Sequence, residues 1–234
     1  MIRVTVVMAV YNGEKYLAQQ LDSILPQLGR NDEVIVSDDG STDRTREIVQ
    51  SYAAADPRIC LVAGPGKGVR QNIANALSQA KGTFLFLSDQ DDVWKPDKVQ
   101  KVLHVFREEK CRVVVHDCIV TNQDLKQVIY PSFFAYRGSG AGVWRNLWKN
   151  KYIGCCMAFH KSLLPYILPI PDDIQMHDQW IGVINDWHRG GTVFLKEPLL
   201  YYRRHDQNVS DFGRNPLPVM IANRMLFFKR LVGR

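Results

Sequence analysis

Apolar residues fall in short blocks along the first half of the chain, and their spacing alternates between two patterns. Arg3 to Val10 is almost unbroken and predicts a buried strand. Glu14 to Leu25 then puts Leu17, Leu21 and Ile24 on one helical face. Glu33 to Ser37 reads as a second strand, followed by a helix to about Tyr52 that Ser41 can cap, with Asp43 in its first turn. Ile59 to Ala63 is a third strand, and a Gly-rich turn leads to a helix carrying Val69, Ile73 and Leu77. Thr83 to Ser88 is a strongly apolar fourth strand. Pro96 opens a helix with Val99, Val102, Leu103 and Phe106 on one side, and Arg112 to Val120 is a fifth strand.

The second half is less regular. Asn122 to Arg145 mixes aromatics and glycines without period and reads as a surface loop or flap. A short apolar stretch spans Ile153 to Phe159. His177 to His188 predicts a helix with Trp180, Ile184 and Trp187 on one face, ended by Gly190-Gly191. Thr192 to Lys196 and Leu199 to Arg203 read as two strands, and Leu217 to Arg234 as an apolar and basic amphipathic segment. No internal repeat is visible.

Strands alternating with helices predict an α/β fold, a mostly parallel sheet with helices on both faces. Ligands of such sheets bind beyond the carboxyl ends of the strands. Three polar clusters stand there: Tyr11-Asn12-Gly13, Asp38-Asp39-Gly40-Ser41 and Asp89-Gln90-Asp91-Asp92. In the last, three carboxylates would repel one another without a counter-charge, and a hard cation such as Mg2+ or Mn2+ is the usual remedy. The plain alternative is a solvated turn ahead of the Pro96 helix. A carboxylate in Asp38-Asp39 can accept the imide N–H of uracil or thymine, although the tetrapeptide also makes an ordinary turn.

Composition narrows the picture a little. With 234 residues, 46% of them hydrophobic, the chain can bury a substantial core. The formal net charge of +6 suits an anionic partner without saying which. Nucleic-acid binding would rest on that charge alone, so no nucleic-acid partner is expected. Five cysteines without a C-x-x-C pair argue against a disulfide framework or zinc ribbon. A cytoplasmic setting is expected, because no signal peptide opens the chain and no apolar run nears the roughly 18 to 20 residues that span a bilayer.

Taken together, Val6-Val7-Met8-Ala9-Val10-Tyr11-Asn12-Gly13, Asp38-Asp39-Gly40-Ser41-Thr42-Asp43, Arg70-Gln71-Asn72 and Leu87-Ser88-Asp89-Gln90-Asp91-Asp92 resemble, in order and spacing, the family 2 glycosyltransferases with the GT-A fold. The resemblance is strongest before Val120, and His177-Asp178 with His205-Asp206 resembles bacterial rhamnosyltransferase-like members. It implies an inverting transfer from a nucleotide-sugar donor, dTDP- or UDP-linked, with a divalent metal. By position, Tyr11 would stack near the base, Asp39 would contact its ring with Asp38 beside it, and Asp89 would reach the ribose with Gln90 next to it. Asp91 would hold the metal. Ala9 stands where many relatives carry a hydroxyl. Arg70 and Asn72 match the family pattern on the donor side. Lys67 lies between Gly66 and Gly68, whose amides could approach phosphate.

Inverting transfer needs a base on the acceptor side. The resemblance assigns it to Asp178, which could otherwise be a plain helix cap. Gly154, Cys155, His177 and Trp180 would line the acceptor side, though the Trp180 spacing fits a core stripe better. Arg203 and Arg204 could neutralise phosphate charge or form an exposed basic loop, and His205 is a further candidate metal ligand. The expected organisation is one domain over 1–212, with a nucleotide-sugar half (1–120) and an acceptor half (121–212), then a basic amphipathic segment over 213–234. That segment, with no acidic residue after Pro218, could lie on a membrane or pack on the domain. A glycan or lipid-linked acceptor of cell-surface polysaccharide assembly follows as the expected partner. Two other functions share some of these features. A nucleotidyltransferase usually opens with a Gly-rich, Arg-containing loop, which Tyr11-Asn12-Gly13-Glu14 is not. A non-catalytic nucleotide-sugar-binding module would not need both Asp91 and Asp178.

Overall fold

The structure is a computed structural model that describes residues 3–206, 208 and 217–233. In chain order the elements are β1 (Val4–Val10), α1 (Leu17–Ile24), β2 (Glu33–Asp38), α2 (Thr45–Ala55), β3 (Ile59–Ala63), α3 (Val69–Gln79), β4 (Phe84–Ser88) and β5 (Val93–Trp94). Then follow α4 (Lys98–Glu108), β6 (Val113–Thr121), β7 (Val128–Tyr130), α5 (Phe133–Arg137), α6 (Val143–Trp148), β8 (Met157–His160), α7 (Leu164–Ile167), α8 (His177–Trp187), β9 (Thr192–Arg203) and α9 (Leu217–Val232).

The strands form one sheet in the order β3-β2-β1-β4-β8-β6-β9-β5, with β7 paired to β6. The first four are mutually parallel. β8 runs antiparallel to both β4 and β6, so β6 and its parallel neighbour β9 point the same way as β1. The expected α/β fold with a mostly parallel sheet is therefore the one observed. Every residue of β2 is buried. Side chains alternate between faces along a strand, so both faces of this sheet are covered. Glu33 closes the lower edge: its Oε1 accepts from Thr5 Oγ1 (2.6 Å) and from the Lys81 amide (2.8 Å).

Several local readings need correction. Ser41 does not cap a helix; α2 begins at Thr45, and the Ser41 hydroxyl accepts from the Asn12 amide (3.0 Å) while bonding Asp38. Asp43 lies ahead of α2 and accepts from the Thr45 amide (2.9 Å). α4 starts at Lys98 rather than Pro96, behind Asp97 in a left-handed conformation (φ 69°). The two late strands are one, β9, with a register irregularity where Pro198 faces Asp117. The stretch read as a flap contains β7, α5 and the first half of α6. Asp117 ties it to the sheet, bonding Ser132 Oγ and accepting from the Phe134 amide (3.0 Å).

The α8 stripe is only partly core. Trp180 and Ile184 are fully buried, whereas Trp187, at the last position of the helix, is 39% exposed. Trp180 donates its indole N–H to the Ile167 carbonyl (2.9 Å) and meets the Phe227 ring edge-on at 5.5 Å. Phe227 and Leu231 of α9 are buried, and Arg230 pairs with Asp173 at 2.6 Å, so one face of α9 packs on the domain. Among the described residues no helix is long and apolar enough to cross a membrane.

Trp180→Ala should cost about 3–5 kcal/mol in urea unfolding. Trp187→Ala should cost less than about 1 kcal/mol. Similar costs for the two would show that α8 is rotated relative to this packing.

Candidate active site

The acidic turn 89–92 hangs between two short strands. β4 delivers Asp89, and β5 pins the far side by pairing antiparallel with β9 (Val93 opposite Tyr201, Trp94 opposite Leu200). Gln20 of α1 holds the entrance, donating to Ser88 Oγ (2.8 Å) and to the Asp89 carbonyl (3.0 Å). Asp92 is fully buried, and its Oδ1 accepts from the Arg203 amide (3.0 Å). Burial, then the neighbouring charges of Asp91 and Asp178, push Asp89 up to about 7. Burial, then Asp91 and Asp89, holds Asp92 well above the usual carboxylate range.

Arg203 organises this turn from β9. Its Nε donates to the Asp91 carbonyl (2.7 Å), one terminal nitrogen to Gln19 Oε1 (2.6 Å) and the other to the Gln123 carbonyl. The guanidinium also lies 4.5 Å from the centroid of the Tyr16 ring. With 3% of its surface exposed and its donors engaged on protein, Arg203 is a buried clamp, which corrects its reading as a phosphate contact. Arg204 is half-buried, and its amide donates to the Thr121 carbonyl (2.9 Å). His205 Nε2 lies 2.8 Å from Asp91 Oδ2, so two residues 114 apart in sequence, both named as metal ligands, stand side by side. Asn208 reaches the same carboxylate oxygen at 3.3 Å.

A second cluster lies beneath the turn. Ligand atoms of Asp89, Asp92 and Cys155 fall within 4.8 Å of one another. Burial raises the Cys155 thiol well above its ordinary value. Cys155 is buried, so it underlies the cleft rather than lining an acceptor surface. Its carbonyl accepts from Lys98 Nζ (2.9 Å), and the Lys98 ammonium sits 3.7 Å from the Trp94 ring centroid. Burial lowers Lys98 to about 8. Sequence reading passed over Lys98, although a lysine one turn ahead of Val102 on the apolar face of α4 was a visible signal.

At the ends of β1 and β2, Tyr11 is 56% exposed, and Gln90 grips its backbone by accepting from its amide (2.9 Å) and donating to its carbonyl (3.0 Å). Gln90 thus positions Tyr11. Ala9 is half-buried in β1 opposite Ser37. Asp38 is buried, and Arg46 approaches it at 3.4 Å. The Asp39 carboxylate accepts from the amides of Gly66 (2.7 Å) and Gly68 (2.6 Å), so those amides hold a protein carboxylate where a phosphate had been considered. Asn72 is buried, and its amide donates to the carbonyls of Ser37 (2.7 Å) and Val10 (3.4 Å); it ties strands together beneath the surface. Arg70 is half-buried, and its charge acts on His177 and Asp173, placing it toward the start of α8.

Across the cleft, Asp178 occupies the first turn of α8. Its Oδ1 accepts from the Gln179 amide (2.6 Å) and from Asn150 Nδ2 (3.1 Å). Burial raises its pKa despite those bonds and the neighbouring His177. Its charge also acts on Asp89, and the two acids flank one short segment: the Gly154 amide bonds Asp178 and the Cys155 thiol bonds Asp89, so the candidate base and the acidic turn are neighbours. Asn150, which orients Asp178, was missed in an aperiodic stretch. Gly154 allows the close approach here: a Cβ would lie 2.9 Å from His177 Nε2 and 3.6 Å from the Asp178 Cβ. Trp180 is fully buried, which removes it from the acceptor surface.

These features coincide with a known group of enzymes. The sequence profile of Glycosyl transferase family 2 matches residues 5–184, and the chain belongs to that family. It is 38% identical over 217 residues to TuaG of Bacillus subtilis (strain 168), designated a teichuronic acid biosynthesis glycosyltransferase, covering 88% of this chain and 81% of that protein. Similarity to EpsH of the same organism is 25% over 218 residues, covering 86% of this chain and 61% of EpsH. Among solved structures, S. aureus TarS 1-349 in complex with UDP-GlcNAc superimposes with a TM-score of 0.74 at 18% identity, over 98% of this chain and 66% of that one. The mannosyltransferase PcManGT from Pyrobaculum calidifontis, in complex with GDP-Man and Mn2+, gives 0.63 at 21% identity, over 99% of this chain and 64% of that one. At these identities the superpositions establish the shared fold.

Arg203→Lys keeps the charge but cannot bridge the same three acceptors, and should lower unfolding stability by roughly 2–4 kcal/mol. Arg204→Ala should cost clearly less. Wild-type-like urea midpoints for Arg203→Lys would rule out the clamp.

Proposed function

We propose that this chain transfers a sugar, with inversion, from a UDP- or dTDP-linked donor to a hydroxyl of a glycan or lipid-linked acceptor in cell-surface polysaccharide synthesis. The observation that carries the reading is the pairing of a desolvated, oriented Asp178 with the neighbouring acidic turn. TuaG supports the polysaccharide setting, and the UDP-GlcNAc bound to the similarly folded TarS is in line with the donor class. The donor sugar is a hexose or rhamnose in this reading.

The donor set suits a hard divalent cation. Asp89, Asp91 and Asp92 crowd one turn, and burial already disfavours their charge at Asp89 and Asp92. Mn2+ or Mg2+ would be held by Asp91 with His205, and would supply Lewis-acid stabilisation of a leaving diphosphate. The residues of the chain do the rest. Tyr11, exposed and held by Gln90, offers a ring to the base, and Asp39 beside it offers an acceptor to the base edge. Asp89 faces the ribose. Asp178 takes the proton of the acceptor hydroxyl as its oxygen bonds to the anomeric carbon and the carbon–oxygen bond to the nucleoside diphosphate breaks. Gly154 and His177 shape the acceptor side, and Arg204 lies near enough in sequence to the clamp to meet phosphate charge.

Nucleotide binding tests the donor half. UDP or dTDP with Mn2+, at about a hundred times Kd, should raise the melting temperature by about 5–10 °C, with GDP and ADP giving much less. Asp91→Ala should abolish the manganese-dependent part of the shift. Equal shifts for all four nucleotides would remove the base assignment.

Transfer kinetics test the base. Asp178→Asn should keep the nucleotide-induced thermal shift and lose transfer by at least about a thousandfold. Burial favours the protonated form of Asp178, so activity should fall with decreasing pH through an apparent value above the usual carboxylate figure of about 4. Normal transfer by Asp178→Asn would overturn the assignment.

A further inference from the structure

The helix α9 carries two apolar stripes. Phe227 and Leu231 face the domain. Ile221, Met225, Phe228 and Val232 recur at steps of four, three and four residues and are 46%, 69%, 40% and 58% exposed. At about 100° per residue, Arg224 and Lys229 fall on opposite flanks of that outer stripe. The arrangement is an apolar band bordered by cations.

The band continues onto α6. Trp144 stacks on Phe228 (centroids 6.0 Å apart, planes at 29°) and is itself 69% exposed. Trp148, one turn further, is 65% exposed; the Arg224 guanidinium lies 4.3 Å from its ring centroid and donates to its carbonyl (3.1 Å). Two segments far apart in sequence thus build one surface with two tryptophans in water.

Charge selects the occupant. α6 and the residue after it carry Arg145 and Lys149, α9 carries Arg224, Lys229 and Arg230, and neither helix carries a carboxylate; Asp173, paired with Arg230, stands at the border. Like charges of this kind would oppose a second copy of the same face. Tryptophans bordered by lysine and arginine suit the boundary between headgroups and acyl chains of an anionic bilayer. We propose that the α6–α9 surface docks on an anionic membrane, with Trp144, Trp148, Met225 and Phe228 entering that boundary and Lys149 and Lys229 meeting headgroup phosphates.

The same surface adjoins the candidate base. Gln179, next to Asp178, donates to the Asn146 carbonyl of α6 (2.7 Å), and Asn150 follows α6 directly. Docking would therefore bring the acceptor side of the cleft next to the lipid, which suits an acceptor carried on a lipid. That corollary rests on the proposed transfer; the docking does not.

The test is co-sedimentation of the full chain with two vesicle types, phosphatidylcholine alone and a mixture with phosphatidylglycerol. The chain should bind the mixture at least about tenfold more tightly than the neutral vesicles, with a blue shift of tryptophan emission on binding. Trp148→Ser and Met225→Glu, both at strongly exposed positions, should each weaken that binding by about tenfold or more without changing the melting temperature. Should either variant melt early, Lys149→Glu, exposed and outside the packed core, gives the same reading. Sugar transfer to a water-soluble acceptor should be unchanged in Met225→Glu, which separates docking from catalysis. The proposal falls if wild type binds both vesicles equally or neither, or if the stable variants bind like wild type. It also falls if sedimentation velocity shows a dimer that Met225→Glu dissociates.

Discussion

Three carboxylates within four residues can end a buried strand only where something opposes their mutual repulsion. In this chain the permanent part of that opposition is Arg203, which ties the backbone of Asp91 and the carboxylate of Asp92 to the last strand of the sheet. The contact joins residues more than a hundred positions apart, so the shape of the acidic turn depends on β9. Even so, burial leaves Asp89 and Asp92 reluctant to ionise. A site in that condition is poised to gain from a further cation, and this is the physical reason to regard the turn as functional rather than as a solvated loop.

The opposite wall follows a different logic. Asp178 is desolvated and forms no ion pair with a lysine or arginine among the described residues; it is aimed by an amide and an asparagine. A carboxylate held this way stays basic, whereas a salt-bridged one would not. In the proposed reading the site therefore combines two kinds of acidic group, one suited to a cation and one to a proton.

Much of this was visible along the chain because the first half repeats a simple alternation. Leu17, Leu21 and Ile24 lie where their spacing put them, and so do Val99, Val102 and Leu103. Legibility failed where tertiary contacts override local pattern. β5 is two residues long and exists only because β9 passes alongside. Ser41 had cap chemistry, but Asn12 and Asp38 claimed its hydroxyl. Trp187 sat on the right helical face but at the end of the helix, beyond the packed layer. Arg203 and Arg204 were indistinguishable as a pair in sequence; Arg203, the last residue of β9, is buried, and Arg204, just past the strand, is half-buried. Asn150 carried no local signal, since its importance comes from its distance to Asp178.

The reversed direction of β8 has an evolutionary corollary. The chain leaves the upper end of β6 and re-enters the sheet at the upper end of β8, one strand over, so apart from β7, which pairs back on β6, the stretch between Asn122 and Cys156 is a closed excursion from one end of the sheet. Lengthening or shortening such an excursion changes loop entropy only slowly and leaves the parallel nucleotide-side strands in register. The fold thereby separates two kinds of heritable change. The rim can change in length while strands β1 to β4 keep their register.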